Sequence, residues 1–142
     1  MKIAIINGPN LNLLGKREPE VYGKLTFDSF FEQLQAQFPT IELLYFQSNI
    51  EGELIDALQL HGFNVDGIII NPGGYTHTSV AIGDAIAAIT AKVIEVHISN
   101  IHAREDFRKL SHVSAKSVGT IAGLGLNGYS LAIEWFIQQQ SA

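Results

Sequence analysis

The strongest constraint on this chain is an alternation. Short aliphatic, β-branched runs are separated by stretches in which apolar residues recur every three or four positions. Residues 2–6, 41–47, 67–70, 93–98 and 120–122 predict strands. Phe27, Phe30, Phe31, Leu34 and Phe38 recur at helical spacing, predicting an amphipathic helix over 25–37 that Pro39 helps to end. Ser48-Asn49-Ile50-Glu51 has capping-box spacing, so Ser48 is expected to cap a helix carrying Leu54, Ile55 and Leu58 and stopping at Gly62. Further helices are predicted over 79–89, 104–110 and 128–139. Strands alternating with helices imply a parallel sheet, and right-handed crossovers put helices on both faces. The expected architecture is therefore an α/β three-layer sandwich, with ligands beyond the carboxyl ends of the strands.

Length and composition narrow the function classes. A chain of 142 residues fits one domain, residues 1–142, with a sizeable core. Its net charge is −5 with no Lys/Arg-rich run, which argues against nucleic-acid binding. It has no cysteine, so disulfides, thiolate zinc sites and cysteine nucleophiles are excluded. The N-terminal MKIAIINGPN reads as a strand rather than a signal peptide, and no apolar stretch is long enough to span a bilayer. A cytoplasmic location is the expectation. Five histidines invite a metal reading, but no HExxH or paired-ligand spacing occurs, and acid/base chemistry is preferred.

Residues 7–23, NGPNLNLLGKREPEVYG, separate the first strand from the first helix by roughly 17 residues, against about 2–6 in ordinary connections of this kind. The stretch contains Leu11, Leu13 and Leu14, which argue against plain disorder, and polar Asn10, Arg17, Glu18 and Tyr22. Gly8 and Gly23 could act as hinges of a lid. A solvated surface loop is the competing reading. No GxGxxG or P-loop pattern is present.

The fourth strand is unusual for a parallel sheet because it is polar at its carboxyl end. A period of two places Glu95, His97 and Ser99 on one side, with Glu95 able to orient His97 for acid/base work and Ser99 and nearby amides able to hold an anion. The alternative is a solvated edge strand. After the third strand, Asn71 and His77 are expected to point into the same crevice as His97, and Thr78 or Ser79 to cap the next helix. In that helix Ile82, Ile86 and Ile89 form the core stripe. Val80, Ala81, Asp84, Ala87 and Ala88 form a small apolar face, read as a subunit contact with one shared acid; the alternative is that Asp84 faces water. Tyr45 and Tyr129 are read as packing residues, and Tyr75 is left open. His61, His102 and His112 receive no role.

Five segments in this order, INGPNLNLLGKREPEVYG, QSNIEGELI, INPGGYTHTSVAI, EVHISNIHARE and GLGLNGYSLAI, resemble the type II 3-dehydroquinate dehydratase family across nearly the whole chain. The resemblance implies a flavodoxin-like fold with a five-stranded parallel sheet. It also implies cofactor- and metal-free dehydration of 3-dehydroquinate to 3-dehydroshikimate, and a homododecamer built from trimers. In that pattern Tyr22 corresponds to the general base, Arg17 to its lid partner, His97 to the general acid and Asn10 to the residue holding a water at the enolate. Asn71, His77, Ile98, Ser99 and Arg108 correspond to substrate contacts, Asp84 to an acid donated across the trimer interface, and Glu95 to the carboxylate behind His97. The sequence departs locally at Gly83, where many relatives carry a larger residue. A glycine there lowers helix propensity by about 1 kcal/mol relative to alanine. The competing class is a non-enzymatic flavodoxin-like binding module, since fold alone does not fix function.

Overall fold

The computed structural model describes residues 1–16, 20 and 24–140. Five parallel strands, β1 (Lys2–Asn7), β2 (Glu42–Gln47), β3 (Gly67–Asn71), β4 (Lys92–His97) and β5 (Gly119–Ala122), form one sheet in the order β2-β1-β3-β4-β5. This is the flavodoxin-like order, in which the chain reverses its direction of travel between β1 and β3 and leaves a crevice there. β4 is flanked by β3 and β5, so it is an interior strand, and the edge-strand alternative fails.

Strand alternation divides the apolar side chains between two cores. Ile3, Ile5, Ile69, Ile94 and Val96 meet helices α1 (Phe27–Gln37) and α4 (Asn127–Gln140) through Phe27, Phe30, Leu34, Tyr129, Ile133 and Phe136. Ala4, Ile6, Ile68, Ile70 and Val93 meet helices α2 (Glu51–His61) and α3 (Val80–Ala88) through Leu54, Leu58, Ile82 and Ile86. Burial on both faces explains why these strands are nearly all apolar.

Three local expectations need correction. Ser48 does not cap α2. The helix begins at Glu51 with Ile50 as its N-cap, and Ser48 Oγ instead accepts from the Ile50 amide (3.0 Å) and donates to Glu53 Oε1 (2.5 Å). The expected helix over 104–110 is only a 3-10 turn, Asp106–Lys109, because its residues are exposed or half-buried and give an α-helix no face to pack. Gly8 is not a hinge, because its amide donates to the Asn71 carbonyl (2.7 Å) and a Cβ there would stand 2.4 Å from the Pro72 oxygen. Close approach of two loops is what requires that glycine. Gly23 lies outside the described residues. Thr26 and Ser79 cap α1 and α3 by accepting from the amides of Ser29 (3.2 Å) and Ile82 (3.0 Å).

Candidate active site

The loops following β1, β3 and β4 enclose a cleft of about 170 Å³ at the carboxyl edge of the sheet. The first loop contributes Pro9, Asn10, Leu11, Leu13 and Leu14; the second contributes Asn71, Gly73, Gly74 and His77. His97, Ile98, Ser99, Ile101, Arg104 and Arg108 complete the lining. Of the expected site residues, Asn10, Asn71, His77, His97, Ile98, Ser99 and Arg108 thus converge on one cavity. Glu95 lies behind His97. Arg17 and Tyr22 lie outside the described residues. Asp84 sits on the exposed face of α3 with Val80, Ala81, Ala87 and Ala88, away from this chain's own cleft.

The floor of the cleft is the end of β4. Glu95 is fully buried, and His97 Nε2–H donates to its Oε2. With Nε2 so committed, Nδ1 is the nitrogen left to serve the cleft. Burial alone would push the Glu95 carboxyl up, but hydrogen bonds from His97, Ser114 and Ser111 outweigh it and hold the group below the usual glutamate range. A buried carboxylate beside the imidazole sets the ring's orientation.

His77 lies beside His97, their rings nearly parallel with centroids 6.4 Å apart. His77 Nδ1–H donates to the Leu110 carbonyl (2.6 Å), which fixes the tautomer and leaves Nε2 as an acceptor. Burial lowers its pKa below 6.5; the Leu110 bond opposes this and the charge of His97 reinforces it. Arg108 Nε is held by Glu105 (2.8 Å), and Arg104 reaches Ser99 Oγ (3.4 Å). Two guanidinium groups therefore border a cleft that also holds the polar end of β4, a setting suited to a small anion bearing hydroxyls.

A second network supports Asn71. Tyr129 is fully buried; its hydroxyl donates to Asn7 Oδ1 (2.9 Å) and accepts from Asn71 Nδ2 (3.2 Å). Asn71 Oδ1 in turn accepts from the Gly73 amide (3.1 Å), where Gly73 adopts a φ of +61°. Tyr129 is thus more than a packing residue. Burial drives its phenol upward in pKa and pushes that of Tyr45 up to about 12, so neither is disposed to act as a tyrosinate. The first loop is anchored by Leu14, buried in the core, and by Asn10, whose amide donates to Asn49 Oδ1 (3.0 Å). Asn10 has a φ of 71°, a left-handed conformation that asparagine tolerates better than most residues.

Sequence reasoning missed Ser111, Ser114, Arg104 and the polar role of Tyr129. The serines follow Glu95 by 16 and 19 residues, and no local periodicity links them. Gly83 also finds its reason here, because a Cβ on it would stand 2.3 Å from the His112 carbonyl oxygen. The segment bearing Ser111 and Ser114 therefore lies directly against α3.

Comparison with known proteins agrees with this geometry. Residues 1–137 match the family described as dehydroquinase class II. The chain is 52% identical over 139 residues to a 3-dehydroquinate dehydratase of an Exiguobacterium species, covering 97% of this chain and 95% of the relative. A 3-dehydroquinate dehydratase of Roseiflexus castenholzii is 53% identical over 139 residues, covering 96% and 88%. The crystal structure of a type II dehydroquinase from Butyrivibrio crossotus superposes with a TM-score of 0.92 at 47% identity, over 96% of this chain and 97% of that one. A shared fold, a match running almost end to end, and a cleft formed by the motifs quoted above together establish that this chain belongs to the class II dehydroquinase family.

Proposed function

We propose that this chain is a hydro-lyase that converts 3-dehydroquinate to 3-dehydroshikimate by anti elimination of water through an enolate, in the shikimate pathway of aromatic amino acid biosynthesis. The observation that carries the reading is the buried Glu95–His97 pair beneath a cleft bordered by Asn10, Asn71, His77, Ser99 and Arg108.

The elimination asks for a base, a place for enolate charge and an acid. Tyr22, as its tyrosinate, takes the proton beside the ketone, with Arg17 and Arg108 as the cations that favour the phenolate. Electrons move onto the ketone oxygen, where a water held by Asn10 donates to the enolate. The enolate collapses to the enone as the C–O bond breaks, and His97 delivers a proton so that water rather than hydroxide departs. Return of the phenol proton to the imidazole, through solvent, resets both groups. Ile98, Ser99 and Asn71 hold the substrate carboxylate. His77, Arg108 and Asp84 face its hydroxyls, with Asp84 supplied by a neighbouring subunit. No cofactor or metal enters this scheme.

The small apolar face of α3, with Asp84 at its centre, supports the neighbouring-subunit assignment, and we assign the assembly as a dodecamer formed by four trimers. No helix among the described residues is long and apolar enough to cross a membrane; we assign the cytoplasm as its location. Membership of an enzyme family does not favour the alternative of a non-enzymatic binding module. The test is direct: purified protein mixed with 3-dehydroquinate develops the ultraviolet absorbance of a conjugated enone. No growth of absorbance over a range of pH would return the protein to the binding-module class.

A further inference from the structure

Glu95 holds its charge where solvent cannot reach it, so its donors must come from the protein. Besides His97, they come from one short segment. Ser114 Oγ donates to Oε1 (2.6 Å), and Ser111 Oγ lies 3.2 Å from both carboxylate oxygens. Ser111 Oγ also accepts from the amides of Val113 and Ser114, each at 3.0 Å, so its own proton is left to point at Glu95. Thr120 Oγ1 donates to Ser114 Oγ (3.4 Å) from the neighbouring strand β5. The carboxylate is thus held by hydroxyls on both oxygens in addition to His97.

We infer that Ser111 and Ser114 are positioning residues for proton donation by His97. They saturate Glu95 with hydroxyl donors, so that its Oε2 accepts from Nε2 and Nδ1 stays turned to the cleft. This rests on the elimination proposed above. A hydrogen bond to a charged group is about twice as strong as one between neutral groups, and its loss from a buried carboxylate is correspondingly costly. With a hydroxyl removed, Glu95 takes up a proton more readily. Protonated, it offers an O–H to Nε2 and forces that nitrogen to accept, which disrupts the ring's role as acid. His97 on β4 and His77 from the preceding turn are the titratable groups facing this cluster, with Arg108 acting on His77.

Ser114→Ala is the cleaner variant, because Ser114 Oγ accepts from no backbone amide among the described residues and the side chain borders solvent. The full-length protein is assayed with 3-dehydroquinate across pH. The expected result is a kcat about tenfold lower with KM unchanged, from loss of one charged hydrogen bond. Glu95 is held below its usual range, so losing a donor raises its pKa, and the acidic limb of the kcat profile moves to higher pH. Infrared spectroscopy then shows a protonated carboxyl band at a higher pH than in the parent, and Glu95→Gln removes that band. Ser114→Thr restores the hydroxyl and the parent profile. An unchanged kcat, or a reduced kcat with an unmoved acidic limb and no new carboxyl band, would overturn the inference. If the parent protein itself fails to turn over 3-dehydroquinate, it is the functional reading that falls.

Discussion

Replacing Tyr129 by phenylalanine removes a single oxygen and isolates one idea: a buried hydroxyl holds the cleft-lining Asn71 in place. The ring is fully buried and packs edge-on against Phe27 and Phe30, with centroids 5.1 and 6.0 Å away. A phenylalanine keeps that packing, so the hydrophobic contribution is nearly unchanged. The hydroxyl is what is lost. Asn7 Oδ1 loses its donor, and because Asn7 Nδ2 already has no partner among the described residues, the whole amide is stranded in the core. Asn71 Nδ2 loses its acceptor, while Asn71 Oδ1 keeps the Gly73 amide. Each stranded buried polar group costs about 1–3 kcal/mol, so two give about 2–6 kcal/mol together. For a domain of this size that lowers Tm by roughly 6–18 °C. Thermal unfolding at fixed protomer concentration measures it, since assembly shifts the apparent value. With Asn71 held by the Gly73 amide alone, KM for 3-dehydroquinate rises about three- to tenfold, while kcat falls less. A Tm within 2 °C of the parent with an unaltered KM, a result far below this ~2 kcal/mol floor, would refute the reasoning.

Other perturbations probe the remaining groups. Glu95→Gln removes the charge behind His97 and lowers kcat about 10²–10³-fold, as loss of an electrostatic partner at a reacting group does; a variant within threefold of the parent would contradict the pairing. The same group governs acid stability. Its folded pKa lies below the ordinary 4.5, so it contributes stability above that value that is lost as pH falls through the folded pKa. Urea midpoints of the parent should therefore drop below about pH 4.5, with a shallower fall in Glu95→Gln. Tyr22→Phe should abolish turnover while circular dichroism and sedimentation stay those of the parent; substantial retained activity would sink the base assignment. Asp84→Ala should raise KM or lower the sedimentation coefficient, and if it does neither, the shared-site reading of α3 is wrong.

The architecture was legible in the chain because it depends on local periodicity. Strand residues at a spacing of two and helix residues at three and four select which side chains each element must bury, and Ile3, Ile5, Leu34, Ile82 and Ile133 are all buried. The outward set on α3, Val80, Ala81, Asp84, Ala87 and Ala88, was readable for the same reason. Glu95 and His97 were found because polar residues two apart in a buried strand contradict the pattern around them. Only the tertiary structure could decide what those residues meet. Ser48 fails as a cap because the α2 helix starts two residues later than its pattern suggests, and Ser111 and Ser114 reach Glu95 only through chain packing. Tyr129 and Asn7 are 122 positions apart, yet they share a hydrogen bond beneath the cleft. Sequence by itself determined which side chains go inside, since that follows from the period of each element. Which buried polar groups satisfy one another was left to the fold, since a hydrogen bond depends on position in space and carries no signal in sequence spacing.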